Sequence, residues 1–250
     1  MDGTSFPQIG LVMISDIKQI TSRTNLIEEY PIFRSNTSQI WKGLRCVFSK
    51  GWSPKNILDI GAYDGSFALF CKKTWPDCNV YSVEPNPAAQ DAYGINVSGS
   101  TGCYLIKGAL NYFDQKKFLN FRDEFSYDSD LSFYPIENAL ENVFYDGRNY
   151  TLSDLFKIMN YKVDIIKINC CGGELDLISR PDQMALLSTA KYICGVTWST
   201  ASTLGLHWGK PARGRKKESP FIESMLTYTP HNIKTFVKPS LDNVFFLAQV

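Results

Sequence analysis

Short apolar runs alternate along this chain with segments of helical periodicity. The runs NILDI at 56–60, NVYSVE at 79–84 and VDIIKIN at 163–169 carry apolar residues at half or more of their positions. Strands that are apolar on both faces are typical of a parallel sheet covered by helices on both sides. The alternation therefore predicts an α/β fold built from strand–helix units.

The same pattern places the other elements. Further strands are predicted at 104–110 and 192–198, followed by a terminal pair, NIKTFV and NVFFLAQ, with a short excursion at 116–121. Helices are predicted at 66–75, 88–96, 151–160, near 174–180 and at 221–229. Thr151 is the expected N-cap of its helix.

The N-terminal part of the chain precedes the alternating pattern. Ile40, Leu44 and Val47 have helical spacing within 38–50, and Gly51 is a plausible C-cap. We therefore expect residues 1–52 to form an extension whose helix packs on a single domain at 53–250.

Composition limits the function classes. The chain has 250 residues, 44% of them hydrophobic, which is enough for one full core. With 26 basic and 25 acidic residues, no global field attracts nucleic acid or an anionic membrane. No apolar run approaches the roughly 20 residues of a membrane span. Seven cysteines, an odd number without a CxxC pair, favour a reducing compartment and predict a cytoplasmic protein.

The most informative stretch is ILDIGAYDGSFALF, in which a buried strand runs into Gly61 and a helix follows. Open α/β sheets bind ligands at this carboxyl edge, and glycine lets the backbone approach them closely. The next strand ends in Glu84, whose carboxylate can accept hydrogen bonds from both hydroxyls of a ribose. The two residues predict an adenosyl cofactor, although Glu84 as a solvated strand end is an alternative.

The glycine spacing discriminates between adenosyl cofactors. Gly61 and Gly65 do not form the GxGxxG motif that cradles a dinucleotide pyrophosphate, so NAD is disfavoured. Asp59 at the strand end can contact the amino-acid moiety of S-adenosylmethionine directly or through water, or it can simply cap the turn. S-adenosylmethionine is therefore the predicted cofactor.

Several of these segments together resemble the FkbM family of S-adenosylmethionine-dependent methyltransferases. The resemblance runs from about Ile57 to the last strand and is carried by LDIGAYDGSFAL, VYSVEPNP, GAL, TLSDL and VDIIKINCCGGELDLI. It implies a Rossmann-like class I methyltransferase fold, with a mostly parallel seven-stranded sheet, an antiparallel last strand and helices on both faces. It also implies cofactor contacts by Asp59, Gly61, Ala62, Gly65 and Glu84, with Pro85, Gly108 and Ala109 flanking the adenine.

This chain departs from the family pattern at positions where residues of the catalytic site are expected. Tyr63 replaces the family Asn in the first motif, and Asn169 and Cys171 replace an Asp and a Glu in the last. Asn169 can orient an acceptor hydroxyl but cannot take its proton or hold a hard cation strongly, so no metal site is predicted. Glu174 is the nearest candidate base, or alternatively an acidic residue favoured at a helix N-terminus.

Two further candidates follow the strand at 192–198. His207 is a possible catalytic residue or an ordinary surface histidine. The run KPARGRKKE, with Arg213, Arg215 and Lys216, is either a solvated loop or a clamp for an anionic acceptor.

The resemblance implies O-methylation of a hydroxyl on a sugar, a glycan or a glycosylated small molecule. The first alternative is a binding module that holds S-adenosylmethionine but has lost catalysis with its two carboxylates. The third is RNA ribose methylation, which is disfavoured because Asn169 stands at the expected acidic position and no aromatic platform accompanies the basic run. Nucleic acid is thus an unlikely partner from the sequence.

Overall fold

The structure is a computed structural model that describes residues 44, 51–110, 117–121, 131–132, 141–145, 148–170, 173–174, 177, 180–198, 219–237 and 243–249. In chain order the elements are β1 (Asn56–Ile60), α1 (Ser66–Thr74), β2 (Asn79–Glu84), α2 (Pro87–Asn96), β3 (Cys103–Lys107), β4 (Ala109–Leu110), β5 (Lys117–Phe121), β6 (Leu131–Ser132), β7 (Glu141–Tyr145), β8 (Asn149–Tyr150), α3 (Leu152–Ile158), β9 (Ile165–Ile168), α4 (Pro181–Leu187), β10 (Tyr192–Trp198), α5 (Pro220–Tyr228), β11 (Asn232–Val237) and β12 (Asn243–Gln249).

Seven strands form the main sheet, in the order β11-β12-β10-β9-β1-β2-β3. The neighbours from β10 to β3 pair in parallel, whereas β12 runs antiparallel to both β10 and β11. The predicted fold is confirmed, including the antiparallel last strand. Because β1 lies between β9 and β2, the carboxyl ends of these three strands meet at one edge of the sheet.

Helices cover both faces of the sheet. Successive side chains of a strand point to opposite faces, so Leu58 joins the cluster under α3, α4 and α5, whereas Ile57 joins the cluster under α1 and α2. Leu44 is helical and fully buried in the second cluster. The other residues of the predicted helix at 38–50 lie outside the described residues. The boundary proposed at residue 52, between the extension and the domain, stays a prediction.

Helix α3 begins as the sequence predicts. The hydroxyl of Thr151 accepts a hydrogen bond of 3.1 Å from the Asp154 amide, and the Asp154 carboxylate accepts one of 3.0 Å from the Thr151 amide. This reciprocal capping box satisfies two donors that the helix itself leaves unpaired. Helix α4 was not predicted, although Pro181 in its first turn is a usual helix start signal.

The predicted strand at 104–110 is interrupted. Strand β3 ends at Lys107, and the next residues leave the main sheet as β4 to pair in parallel with β8. The cause is Gly108, whose amide bonds to the Glu84 carbonyl while the following amide, from Ala109, bonds to the Arg148 carbonyl. The excursion predicted at 116–121 is β5, the central strand of a small antiparallel sheet with β6 and β7.

Candidate functional site

A cleft opens at the carboxyl edge of the sheet, where β1, β2 and β9 end. Its empty volume is about 560 Å³, a figure that includes the open mouth. Open α/β sheets bind their ligands at this edge. The cleft is lined by Ile60, Gly61, Tyr63, Val83, Glu84, Pro85, Gly108, Ala109, Leu110, Asn169 and Cys170.

Glu84 is the charged residue of this lining, and its side chain is held by two backbone amides. Its Oε2 accepts a hydrogen bond of 2.7 Å from the Tyr63 amide, and its Oε1 accepts one of 2.9 Å from the Asn86 amide. A carboxylate oxygen can accept two hydrogen bonds, so each oxygen retains capacity for one more donor. The side chain is only 5% exposed, and this burial raises the pKa of Glu84 to about 7, against the lowering effect of both amides and of Lys167.

The turn after β1 requires glycine at two positions. Gly61 has φ +76°, and a Cβ there would lie 1.9 Å from the carbonyl oxygen of Asn169. Gly65 has φ +79°, and a Cβ there would lie 2.7 Å from the ring of Tyr93. Tyr63 between them has φ +52°, a left-handed conformation that Asn tolerates better than most residues. This positive φ explains why the resembled family has Asn at this position. Tyr63 adopts the left-handed conformation at a cost in conformational energy.

Asp59 is not among the residues that line the cleft, and its contact with a cofactor, directly or through water, stays a prediction. Its side chain is completely buried. Oδ1 lies 2.8 Å from the ammonium of Lys167, and Oδ2 accepts a hydrogen bond of 3.3 Å from the Ser82 hydroxyl. The carboxylate is thus turned into the sheet, beneath the turn that the cleft uses.

The other predicted cofactor residues divide into two groups. Gly61, Glu84, Pro85, Gly108 and Ala109 line the cleft, as a cofactor contact requires, and their contacts remain predictions.

Ala62 and Gly65, the second group, do not line the cleft. Ala62 is buried in the core on the α1 side, and Gly65 precedes the first turn of α1, so both shape the turn without lining the cleft. Direct contact with a cofactor is not supported for either of them.

Asn169 follows β9 at the same edge. Its amide donates a hydrogen bond of 2.9 Å to the Ile60 carbonyl, which holds the end of β9 beside the end of β1. Asn169 and Cys170 are half-buried and line the cleft. An acceptor hydroxyl in the cleft can therefore reach a neutral amide side chain at this position.

Glu174 is fully buried and is not among the residues that line the cleft, so its role as a base stays a prediction. Its two oxygens accept hydrogen bonds from the Cys170 thiol at 3.4 Å and the Thr197 hydroxyl at 3.0 Å. A general base must come within hydrogen-bonding reach of the proton that it takes. Glu174 instead belongs to a buried polar network that also includes Ser219, 3.2 Å from Thr197.

The remaining candidates lie outside the described residues. These are His207, Arg213, Arg215 and Lys216, together with Cys171, and their roles stay predictions. Within the part of the chain that the structure describes, no three His, Cys, Asp or Glu side chains are grouped as they would be to hold a metal ion. None of the helices in that part is long and apolar enough to cross a membrane.

Sequence reasoning missed the groups that support Glu84. Both amides come from neighbours whose side chains give no signal, Tyr63 and Asn86. The polar chain formed by Tyr93, Ser82, Asp59 and Lys167 was also missed. A lysine inside the buried run VDIIKIN was the available signal.

Comparison with known proteins gives matches in structure alone. No protein-family model matches the sequence, and a search of curated proteins finds no similar one. The resemblance to the FkbM family is thus carried by the motifs of this chain and stays a prediction.

Several solved methyltransferase structures are similar to this chain. Precorrin-6y C5,15-methyltransferase from Geobacter metallireducens is 11% identical over 85% of this chain and 86% of its own, with a TM-score of 0.45. An O-methyltransferase from Bacillus cereus in complex with SAH is 12% identical over 95% and 90%, with a TM-score of 0.44. Fibrillarin from Aeropyrum pernix with natively bound S-adenosyl-L-methionine is 13% identical over 78% and 66%, with a TM-score of 0.40. Function is therefore inferred from the site of this chain itself.

Proposed function

We propose that this protein is an S-adenosylmethionine-dependent O-methyltransferase. The observation that carries the proposal is the Glu84 carboxylate at the end of β2, fixed by the Tyr63 and Asn86 amides and lining the cleft. Each oxygen retains capacity for one further donor, and the two hydroxyls of a ribose are such a pair. The apolar walls supplied by Ile60, Val83 and Leu110 suit the adenine base.

The turn after β1 fits a phosphate-free adenosyl cofactor better than a dinucleotide. The amides of Gly61 and Ala62 both donate to the Val83 carbonyl, at 3.0 and 3.1 Å, and are not available for a pyrophosphate. At the start of α1 the Ser66 amide donates to Asp64, whose buried carboxylate occupies the place where a phosphate would sit. A second anion there would be repelled.

S-adenosylmethionine, when bound, supplies a methyl group on a sulfonium that an in-line nucleophile can attack. In this chain Asn169 can orient an acceptor hydroxyl through its side-chain carbonyl, and holding the hydroxyl near the methyl carbon supplies much of the rate. As the O–C bond forms and the S–C bond breaks, the hydroxyl loses its proton. Since Asn169 cannot accept it and Glu174 is buried, we assign the proton to His207, the remaining catalytic candidate from the sequence.

The acceptor in this proposal is a hydroxyl of a sugar, a glycan or a glycosylated small molecule. The resemblance to the FkbM family supports this class, and the run with Arg213, Arg215 and Lys216 supports an acceptor that carries a phosphate or another anion. RNA ribose stays the third candidate, and a cytoplasmic location stays the expectation from the cysteines.

A second candidate function is a binding module that holds the cofactor without transferring its methyl group. The burial of Glu174 favours this alternative, because the acidic residue retained from the family motif is engaged by Cys170 and Thr197. Asn169 and Cys171 are neutral where the resembled family has acids.

Methyl transfer from labelled S-adenosylmethionine to glycans and nucleotide sugars, measured with a chelator present, tests the proposal. Wild-type protein and the double variant Asn169→Asp with Cys171→Glu are assayed side by side. We expect the wild type to form product without metal, because positioning requires no ion. Product from the double variant alone would establish the binding module and refute the enzyme.

A further inference from the structure

A buried polar chain lies directly beneath the turn that the cleft uses. The Tyr93 hydroxyl on α2 donates to the Ser82 hydroxyl on β2 at 3.0 Å, and Ser82 donates to Asp59 on β1 at 3.3 Å. Asp59 pairs with the Lys167 ammonium on β9 at 2.8 Å. Three neighbouring strands and one helix are therefore linked through buried side chains beneath this turn.

Lys167 connects this chain to the turn. Its ammonium donates to the Gly61 carbonyl and lies 3.4 Å from the Ile60 carbonyl, so it holds two successive backbone groups where β1 ends. The ring of Phe67, 5.7 Å away, closes the other side, and the ammonium is almost completely buried. A buried ammonium with a carboxylate and two carbonyls as partners has a single favourable position.

We infer that Lys167 is a positioning residue for the ligand cleft, acting through the turn that presents the Tyr63 amide to Glu84. Asp59 fixes the ammonium, the ammonium fixes the Ile60 and Gly61 carbonyls, and the turn that follows aims the Tyr63 amide at Oε2. The inference rests on the proposed function, since it assigns a role to Lys167 in binding the adenosyl cofactor. It also gives Asp59 a role without contact to the ligand.

Removing Lys167 alone would leave the Asp59 carboxylate buried without its partner, which destabilises a fold strongly. The test therefore compares the wild type with Asp59→Asn/Lys167→Met, because the double variant removes both members of the buried ion pair and leaves neither charge unpaired. The probe is 5′-methylthioadenosine, which has the ribose and adenine but no titratable amino-acid moiety, measured by calorimetry at pH 8.

We expect the double variant to bind methylthioadenosine about tenfold more weakly than the wild type, because the turn that presents the Tyr63 amide loses the ammonium that holds its carbonyls. Met225→Ala, which truncates a fully buried side chain under α5, serves as the control for a general loss of stability. It should lower the melting temperature and leave binding within about twofold. Equal affinity of the wild type and the double variant would overturn the inference.

A second measurement distinguishes a residue that positions the turn from one that only supports the fold. The double variant should exchange the Tyr63 amide faster than the wild type does at a temperature where both proteins are folded, because the carbonyls that hold the turn have lost their donor. A residue that only supports the core would lower the melting temperature and leave the exchange of this amide unchanged.

The wild-type protein provides a test that needs no variant. If the turn is fixed before the ligand arrives, the Tyr63 amide should resist hydrogen exchange in the ligand-free protein as well as the Ala62 amide does. Exchange of the Tyr63 amide at the rate of an open loop would contradict the inference. A wild type that does not bind methylthioadenosine would refute the proposed function and this inference with it, whereas binding that is insensitive to Lys167 would refute the inference alone.

Discussion

The backbone amide of Tyr63 donates a hydrogen bond of 2.7 Å to Oε2 of Glu84. This bond joins the turn after β1 to the end of β2, and together with the Asn86 amide it fixes the carboxylate before any ligand is bound. The supporting donors belong to the backbone, so the identity of side chain 63 can vary while the arrangement is kept. A preorganised acceptor of this kind binds hydroxyl donors without the cost of ordering a flexible side chain.

The first prediction concerns pH. Burial raises the pKa of Glu84 to about 7, so the carboxylate is mostly protonated at pH 6 and mostly ionised at pH 8. The ionised form accepts hydroxyl donors better, and the affinity for 5′-methylthioadenosine should therefore rise as the pH rises through 7. Below pH 6 the affinity should fall by up to about tenfold per pH unit, as for a single titrating group.

Calorimetric titrations at pH 6, 7 and 8 measure this dependence. Glu84→Gln is the matched control, because it keeps the size of the side chain and removes the titrating group. Its weaker binding should be independent of pH over the same range. A wild type whose affinity is equally flat would show that Glu84 does not contact the ligand.

The second prediction concerns the turn. Gly61→Ala places a Cβ against the Asn169 carbonyl at a position where φ is +76°. We expect the free energy of unfolding to fall by about 2 kcal/mol or more, since both the backbone conformation and the contact are unfavourable. Gly94→Ala on α2 is the control, because a Cβ there meets nothing within 4 Å.

Gly94→Ala should be neutral or stabilising by up to about 1 kcal/mol, as expected for glycine replaced by alanine inside a helix. Chemical denaturation of both variants compares them directly. A Gly61→Ala protein as stable as Gly94→Ala would mean that the end of β1 and the Asn169 backbone do not approach each other as closely as described.

The third prediction concerns the basic run. Neutralising Arg213, Arg215 and Lys216 together should raise the apparent KM for an anionic acceptor and flatten its salt dependence, without changing the affinity for methylthioadenosine. Lys55 and Lys162, which are exposed and precede β1 and β9 at the opposite edge of the sheet, provide the control. If the two sets of substitutions had the same effect on KM, the basic run would be a solvated loop.

The sequence predicts the sheet well because buried parallel strands are nearly continuous apolar runs, as in NILDI and VDIIKIN. It also predicts the place of Glu84, since the end of a strand beside a glycine turn has few alternatives in this fold. The interruption at Gly108 was not predictable, because it depends on the Arg148 carbonyl, which comes from a distant part of the chain.

The directions of buried acidic side chains were the least predictable part of the site. Asp59 has the position of a ligand contact in the sequence, yet the Lys167 ammonium, 108 residues further along, draws its carboxylate into the sheet. Glu174 is likewise engaged by Thr197 on β10. Local sequence gives the position of such a residue along a strand or turn, whereas its direction depends on partners that only the folded chain brings near.

The affinity of the protein for S-adenosylhomocysteine, before and after Glu84→Ala, tests the central claim most directly. Removing the carboxylate leaves two ribose hydroxyls without acceptors, which costs on the order of 1 to 3 kcal/mol, or roughly ten- to a hundredfold in Kd. We therefore predict that calorimetry at pH 8 shows binding to the wild type, weakened by that factor in Glu84→Ala, with no competition from NAD. Unchanged affinity in Glu84→Ala, or displacement of the ligand by NAD, would contradict the account.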